Sequence, residues 1–128
     1  MKKLVIIGGS DAGIMAALRA REMDPSAEVT VVLADEYHNF SICGLPFYLS
    51  GEISDWRTLA HRKQEDLLGE GIHLLMRHTA TAIRPDSRSV VLSPPSGPQV
   101  VLPYDSLVLA VGARSRKPSY VKELDLPC

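Results

Sequence analysis

Cysteine is scarce in this chain: its 128 residues hold only Cys43 and Cys128, far apart and in no CxxC pair. That excludes a secreted disulfide framework and a cysteine-built metal site, and leaves room for one reactive thiol. An excess of either charge is also missing. A formal net charge of −1 provides no broad basic face for nucleic acid or for an anionic membrane surface. Long apolar runs are absent too. Leu4 to Ile7 follow Lys2 and Lys3, but Gly8, Gly9, Ser10 and Asp11 cut the run far short of a signal or membrane segment. What remains is ordinary globular composition, enough for one domain at most, and it predicts a cytoplasmic protein whose partners are small molecules.

What is present has a clear order. Leu4 to Ile7 form a short continuous apolar run that predicts a strand buried on both faces of a parallel sheet. Small and apolar residues at helical spacing from Ala12 to Met23, closed by Asp24-Pro25, predict a helix. Val29 to Leu33 predicts a second strand, and the three elements make a right-handed crossover. A loop over Ala34 to Ser54 should contain a short helix near Gly44 to Leu49, with Pro46 in its first turn. Thr58 to Gly69 reads as one helix, stopped by Gly71 before a strand at Ile72 to Met76. Thr79 to Ile83, Ser89 to Leu92 and Gln99 to Leu102, separated by Pro-rich turns, predict an antiparallel meander. Leu107 to Val111 is a further apolar strand ending in Gly112, and an irregular tail follows from Pro118. The expected fold class is therefore α/β: a Rossmann-like parallel sheet with a glycine turn and an inserted antiparallel β-meander. The expected organisation is βαβ units with the cysteine loop over about 1–77, the meander over about 78–103, a closing strand in 104–113 and a tail over 114–128.

Gly8-Gly9-Ser10-Asp11-Ala12-Gly13 falls between the first strand and the first helix. There a dinucleotide's pyrophosphate would meet free N–H groups and the positive end of the helix dipole. Gly8 and Gly9 permit close approach of backbone to phosphate, while Gly13 lets the helix pack on the strand. Against GxGxxG the middle glycine is Ser10, so the spacing is a weak signal and its strand-to-helix context carries it. An acidic residue about twenty positions on should bind a ribose hydroxyl, and Asp35 or Glu36 could serve; either is also explained as a solvated turn carboxylate. Cys43 stands just before the short helix, and a helix amino terminus favours the thiolate, the reactive form of the group. A buried inert thiol is the competing explanation.

The glycine turn, the second strand and Asn39-Phe40-Ser41-Ile42-Cys43-Gly44-Leu45-Pro46-Phe47-Tyr48 stand in an order that resembles the single-cysteine branch of the FAD-dependent pyridine nucleotide-disulfide oxidoreductases. That branch contains coenzyme A-disulfide reductases, NADH oxidases and NADH peroxidases. Tyr104 to Ala113 resembles the strand that closes the first FAD-binding stretch of that family. The resemblance implies FAD as cofactor, bound through Gly8, Gly9, Ser10, Asp11, Ala12, Gly13, Asp35, Glu36, Ser41, Ala80, Ala110 and Gly112. It implies Cys43 as the redox thiol, cycling through a mixed disulfide or a sulfenic acid. It places Arg19 near a phosphate-bearing substrate such as coenzyme A disulfide; oxygen or peroxide is the alternative substrate. It further implies NAD(P)H bound by a domain absent from these residues, a homodimer when full length, and no metal.

Departures from the pattern are specific. The family's ribose-binding Glu, ten residues before the cysteine, is here Leu33, and Asp11 replaces the histidine of the oxidases and peroxidases. Ile42 and Asn39 replace small polar residues near the thiol, while Leu45-Pro46 matches the coenzyme A-disulfide reductases best. His38, close in sequence, is a candidate base toward Cys43. Two other functions fit the same residues: a nucleotide-binding module without catalysis, and an electron-transfer flavoprotein reductase in which Cys43 has no covalent role.

Overall fold

The computed structural model describes residues 1–114 and Arg116. Strand β1 (Lys3–Ile7), helix α1 (Asp11–Met23) and strand β2 (Glu28–Val32) form the expected crossover. Strands β3 (Ile72–Leu75) and β7 (Ser106–Leu109) extend the sheet on either side, giving the order β3-β2-β1-β7 with every pairing parallel. Strands β4 (Thr79–Arg84), β5 (Ser89–Ser93) and β6 (Val100–Pro103) make a separate antiparallel sheet, with a register shift between Ala80 and Ala82.

The strands are apolar on both sides because both faces of the parallel sheet are covered. Alternate residues divide between the two covers. Ile6, Val29 and Val31 pack with Ile14 and Ala17 of α1 and with Leu67 of helix α3 (Gln64–Gly69). Val5 and Val32 turn the other way, onto Val90 and Leu92 of β5. The meander is therefore the lid on one face of the Rossmann-like sheet. No helix among the described residues is long and apolar enough to cross a membrane.

One expected element is corrected. Thr58 to Gly69 is not a single helix: a 3-10 turn over Trp56–Leu59 ends at extended Ala60, and α3 starts only at Gln64. Asp55 caps the turn by accepting the Arg57 N–H at 3.0 Å. Beyond it the backbone pairs with the cysteine loop instead of with itself. Ser41 N–H donates to the Leu59 carbonyl at 2.8 Å, His61 N–H donates to the Asn39 carbonyl at 3.0 Å, and Phe40 bridges Ala60. Asp66 then accepts the Lys63 N–H at 3.0 Å and opens α3. The closing strand also stops earlier than expected, at Leu109. Pro118 onward and Cys128 lie outside the described residues.

Arg21 has a role that periodicity does not reveal. Its guanidinium donates to the carbonyls of Pro25 and Ala27, and to that of Glu70 at 2.8 Å, joining the end of α1, the turn into β2 and the end of α3. In the same turn Ser26 donates twice to Asp24, and those hydrogen bonds hold the Asp24 carboxyl below its ordinary range.

Candidate functional site

The site starts from the turn after β1. Gly8 N–H donates to the Val32 carbonyl at 2.8 Å, and Gly8 adopts φ +117, a left-handed conformation that side chains avoid. A Cβ there would stand 2.6 Å from the Ala110 carbonyl carbon. Gly13 is tighter: a Cβ on it would be driven into the Gly8 carbonyl oxygen. The two glycines thus bring three backbones together, β1, β7 and the first turn of α1. That turn opens with Ser10 as cap, and the Ser10 side chain bonds none of the helix N–H groups. The N–H groups of Asp11, Ala12 and Gly13 have no partner one turn back. They face outward with the positive end of the helix dipole and suit a diphosphate.

An open cleft of about 800 Å³ lies over this turn, at the carboxyl ends of the parallel strands. That is where open α/β sheets bind ligands. Gly8, Gly9, Ser10, Asp35, Ala80, Ala110 and Gly112 line it. Asp11, Ala12 and Gly13 form the first helical turn behind that lining. Asp35 and Glu36, interchangeable by sequence, point to different places. Asp35 lines the cleft, and Glu36 lines a neighbouring cavity of about 280 Å³ beside Tyr37, Trp56 and Arg57. Glu36 holds the adjacent Tyr37 phenol above its ordinary range. Leu33 is buried and leans over Gly9, its Cδ1 only 2.8 Å from where a Cβ would be. No carboxylate therefore occupies the tip of β2 itself.

The cysteine segment forms the far border. Ile42 lines the cleft, and Cys43 is the next residue, a free and exposed thiol in a 3-10 turn over Ile42–Gly44 that runs into helix α2 (Leu45–Leu49) with Pro46 in its first turn. Gly44 packs so tightly on Leu59 that a Cβ would strike the Leu59 side chain, which fixes the turn from below. Ser41 caps this turn and ties its N–H to Leu59; it does not line the cleft. His38 Nε2 lies 3.2 Å from the Arg62 carbonyl and makes no hydrogen bond to Cys43 among the described residues. Arg19 is exposed and pairs with Glu22 at 2.6 Å on the outer face of α1. Tyr37, Phe40 and Trp56 pack on one another, Tyr37 meeting Trp56 edge-on at 4.9 Å, so Trp56 is a packing residue whose ring also borders the cleft. No group of three or more potential metal ligands occurs among the described residues.

Asn39, which the sequence marks only as a replacement for a small polar residue near the thiol, is a further residue of this cleft: it is 5% exposed, lines the cleft, and has a left-handed φ of 51.

A sequence model of the family described as "Pyridine nucleotide-disulphide oxidoreductase" matches residues 2–126. The chain is 29% identical over 112 residues to an NADH oxidase of Enterococcus faecalis, covering 87% of this chain and 25% of that protein. It is 28% identical over 119 residues to a coenzyme A disulfide reductase of Staphylococcus epidermidis, covering 91% of this chain and 27% of that protein. Among solved structures, the water-forming NADH oxidase from Lactobacillus brevis bound to NADH superposes with a TM-score of 0.86 at 30% identity, over 92% of this chain and 26% of that one. The chain spans about a quarter of the length of the curated relatives it matches.

Proposed function

The chain belongs to the pyridine nucleotide-disulphide oxidoreductase family, and from that premise we propose that its cleft binds FAD and that Cys43 is the redox thiol of an NAD(P)H-dependent disulfide reductase. One observation carries the reading. The uncapped amino end of α1 and the cysteine turn border the same cleft, which is large enough for a dinucleotide.

When bound, FAD supplies the two-electron chemistry that side chains lack. The residues supply placement. The first-turn N–H groups of α1 take the diphosphate, and Gly8 and Gly13 keep the backbone close enough for them to do so. Asp35 takes a ribose hydroxyl in place of the carboxylate missing at Leu33. Ala80, Ala110 and Gly112 present backbone and small side chains to the remainder. Cys43, as thiolate, attacks one sulfur of a substrate disulfide; a Cys43–substrate disulfide forms and the other half leaves as a thiolate. Two electrons, ultimately from NAD(P)H, and a proton then break that mixed disulfide, releasing the second thiol and restoring the Cys43 thiolate. Coenzyme A disulfide is the substrate favoured by Leu45-Pro46, with Arg19, freed from Glu22, meeting its phosphates; a sulfenic acid cycle on peroxide or oxygen is the second reading.

The spectrum of the intact protein tests this. A flavin spectrum that on addition of NADH develops a long-wavelength thiolate-to-flavin charge-transfer band while the flavin itself stays oxidised, a band abolished by Cys43→Ser, is the expected result. A colourless protein that takes up ADP and no FAD is the outcome that sinks it, and favours a nucleotide-binding module. The two carboxylates make a sharper comparison: Asp35→Ala should weaken FAD binding about tenfold, the loss of one charge-assisted hydrogen bond, while Glu36→Ala leaves it unchanged. Titration of apoprotein with FAD, followed by flavin fluorescence, measures both.

A further inference from the structure

A diphosphate brings negative charge into a cleft whose described lining holds no Lys and no Arg; the lone carboxylate there is Asp35, an anion itself. Among these lining residues, neutral donors are the main means of holding it. The amino end of α1 is one source, and it acts from a single side.

Asn39 lines the same cleft. The residue is 5% exposed, and its carboxamide makes no hydrogen bond to any described residue. No buried polar side-chain atom is left without a partner among the described residues, so the polar end of Asn39 emerges at the cleft it lines. Its backbone is pinned on both sides: the N–H donates to the Gly9 carbonyl at 2.7 Å, and its own carbonyl accepts from His61. The first of these bonds stitches Asn39 directly to the phosphate turn. The left-handed φ of 51 is a conformation that asparagine tolerates and most residues do not. A carboxamide on a residue 5% exposed, whose polar atoms reach the cleft and whose backbone is bonded to the glycine turn, is organised for a ligand.

Building on the proposed dinucleotide site, we infer that Asn39 donates its carboxamide N–H to the diphosphate, as a binding residue tied to the glycine turn. It adds a second uncharged donor at a cleft whose described lining carries His78 but no Lys and no Arg.

Calorimetric titration of the intact protein and of Asn39→Gly and Asn39→Asp with FAD, ADP and adenosine tests the assignment. Glycine suits the left-handed backbone and removes the amide. Aspartate keeps the shape and places an anion against the diphosphate, so a folding defect in the glycine variant leaves the second variant to decide. The expected result is a loss of about tenfold to a hundredfold in affinity for FAD and for ADP, the range of a hydrogen bond to a charged group, larger in Asn39→Asp, with adenosine binding unchanged. Unchanged ADP affinity in both variants overturns the assignment. So does an equal loss for ADP and adenosine, which marks a purely structural role, and so does a loss for FAD alone, which moves the contact to the flavin half. If the unsubstituted protein binds neither FAD nor ADP, the cofactor reading itself falls and takes this one with it.

Discussion

Gly13→Ala is expected to lower folding stability by at least about 3 kcal/mol and to abolish FAD binding, whereas Gly69→Ala leaves both intact. The difference follows from what a methyl group would meet. At Gly13 it enters the Gly8 carbonyl group, approaching the carbonyl carbon to 3.0 Å and the oxygen more closely still. Neither partner can yield. Gly8 is fixed by its hydrogen bond to Val32 and by its contact with Ala110, and Gly13 is buried in the helix that covers the sheet. Relief requires α1 to move off the sheet by roughly 1 Å, in a core packed as densely as an organic crystal. Overpacking a core costs about 1–3 kcal/mol when side chains can adjust, and here only backbone is available, which places the substitution at the upper end or beyond it. The same displacement carries the first-turn N–H groups away from the diphosphate. At Gly69 a Cβ meets nothing within 4 Å, and alanine is the better helix former by as much as about 1 kcal/mol. Urea denaturation followed by circular dichroism gives the stability difference; flavin retained on purification gives the second readout. A Gly13→Ala protein as stable and as yellow as its parent would contradict the close approach on which the site is built.

Much of this geometry is legible in the sequence because it is local. Leu4 to Ile7 are apolar without alternation, and a strand covered on both sides is the simplest way to bury all of them. The glycine turn is readable for the same reason: what Gly8 and Gly13 permit is decided within a few residues. The meander, too, is announced by its own turns.

The failures are long-range. Thr58 to Gly69 carries helical periodicity, yet the N–H of Ser41 claims the Leu59 carbonyl and the Asn39 carbonyl claims the N–H of His61. Those partners are some twenty residues away, and no local rule weighs them. Arg21 reads as a solvated helix residue because the carbonyls that hold it belong to two other segments, one of them about fifty residues further on. Asp35 and Glu36 are adjacent and chemically alike, so only the course of the loop separates the one at the cleft from the one beside Trp56. Asn39 looks like a lost hydroxyl until its burial and its bond to Gly9 are seen together. The signal available in the sequence was the residue type itself, an asparagine in a loop, suited to left-handed backbone.

Cys43→Ser is expected to reduce disulfide turnover by at least about a thousandfold, as removal of a covalent nucleophile does, while flavin content and the rate at which NADH reduces it stay close to those of the parent. The separation of the two readouts comes from where the sulfur sits. Cys43 is exposed and is not part of the cleft lining, whereas its neighbour Ile42 is. Exchanging sulfur for oxygen therefore leaves the proposed cofactor contacts in place, together with the Gly44–Leu59 packing that sets the turn. Exposure also serves the chemistry: a disulfide as bulky as that of coenzyme A can reach a thiol at the surface and not one in the core. A serine hydroxyl in the same position cannot form the mixed disulfide, so the cycle stops at its first bond. Single-turnover reduction of the flavin and steady-state release of thiol, measured on the same preparation, distinguish the steps. If thiol release continues in Cys43→Ser at a rate near that of the parent, the sulfur is a bystander and electrons leave the flavin directly for an external acceptor. If flavin reduction and thiol release fall together, the substitution has disturbed the cofactor site, and the independence of Ile42 and Cys43 is wrong.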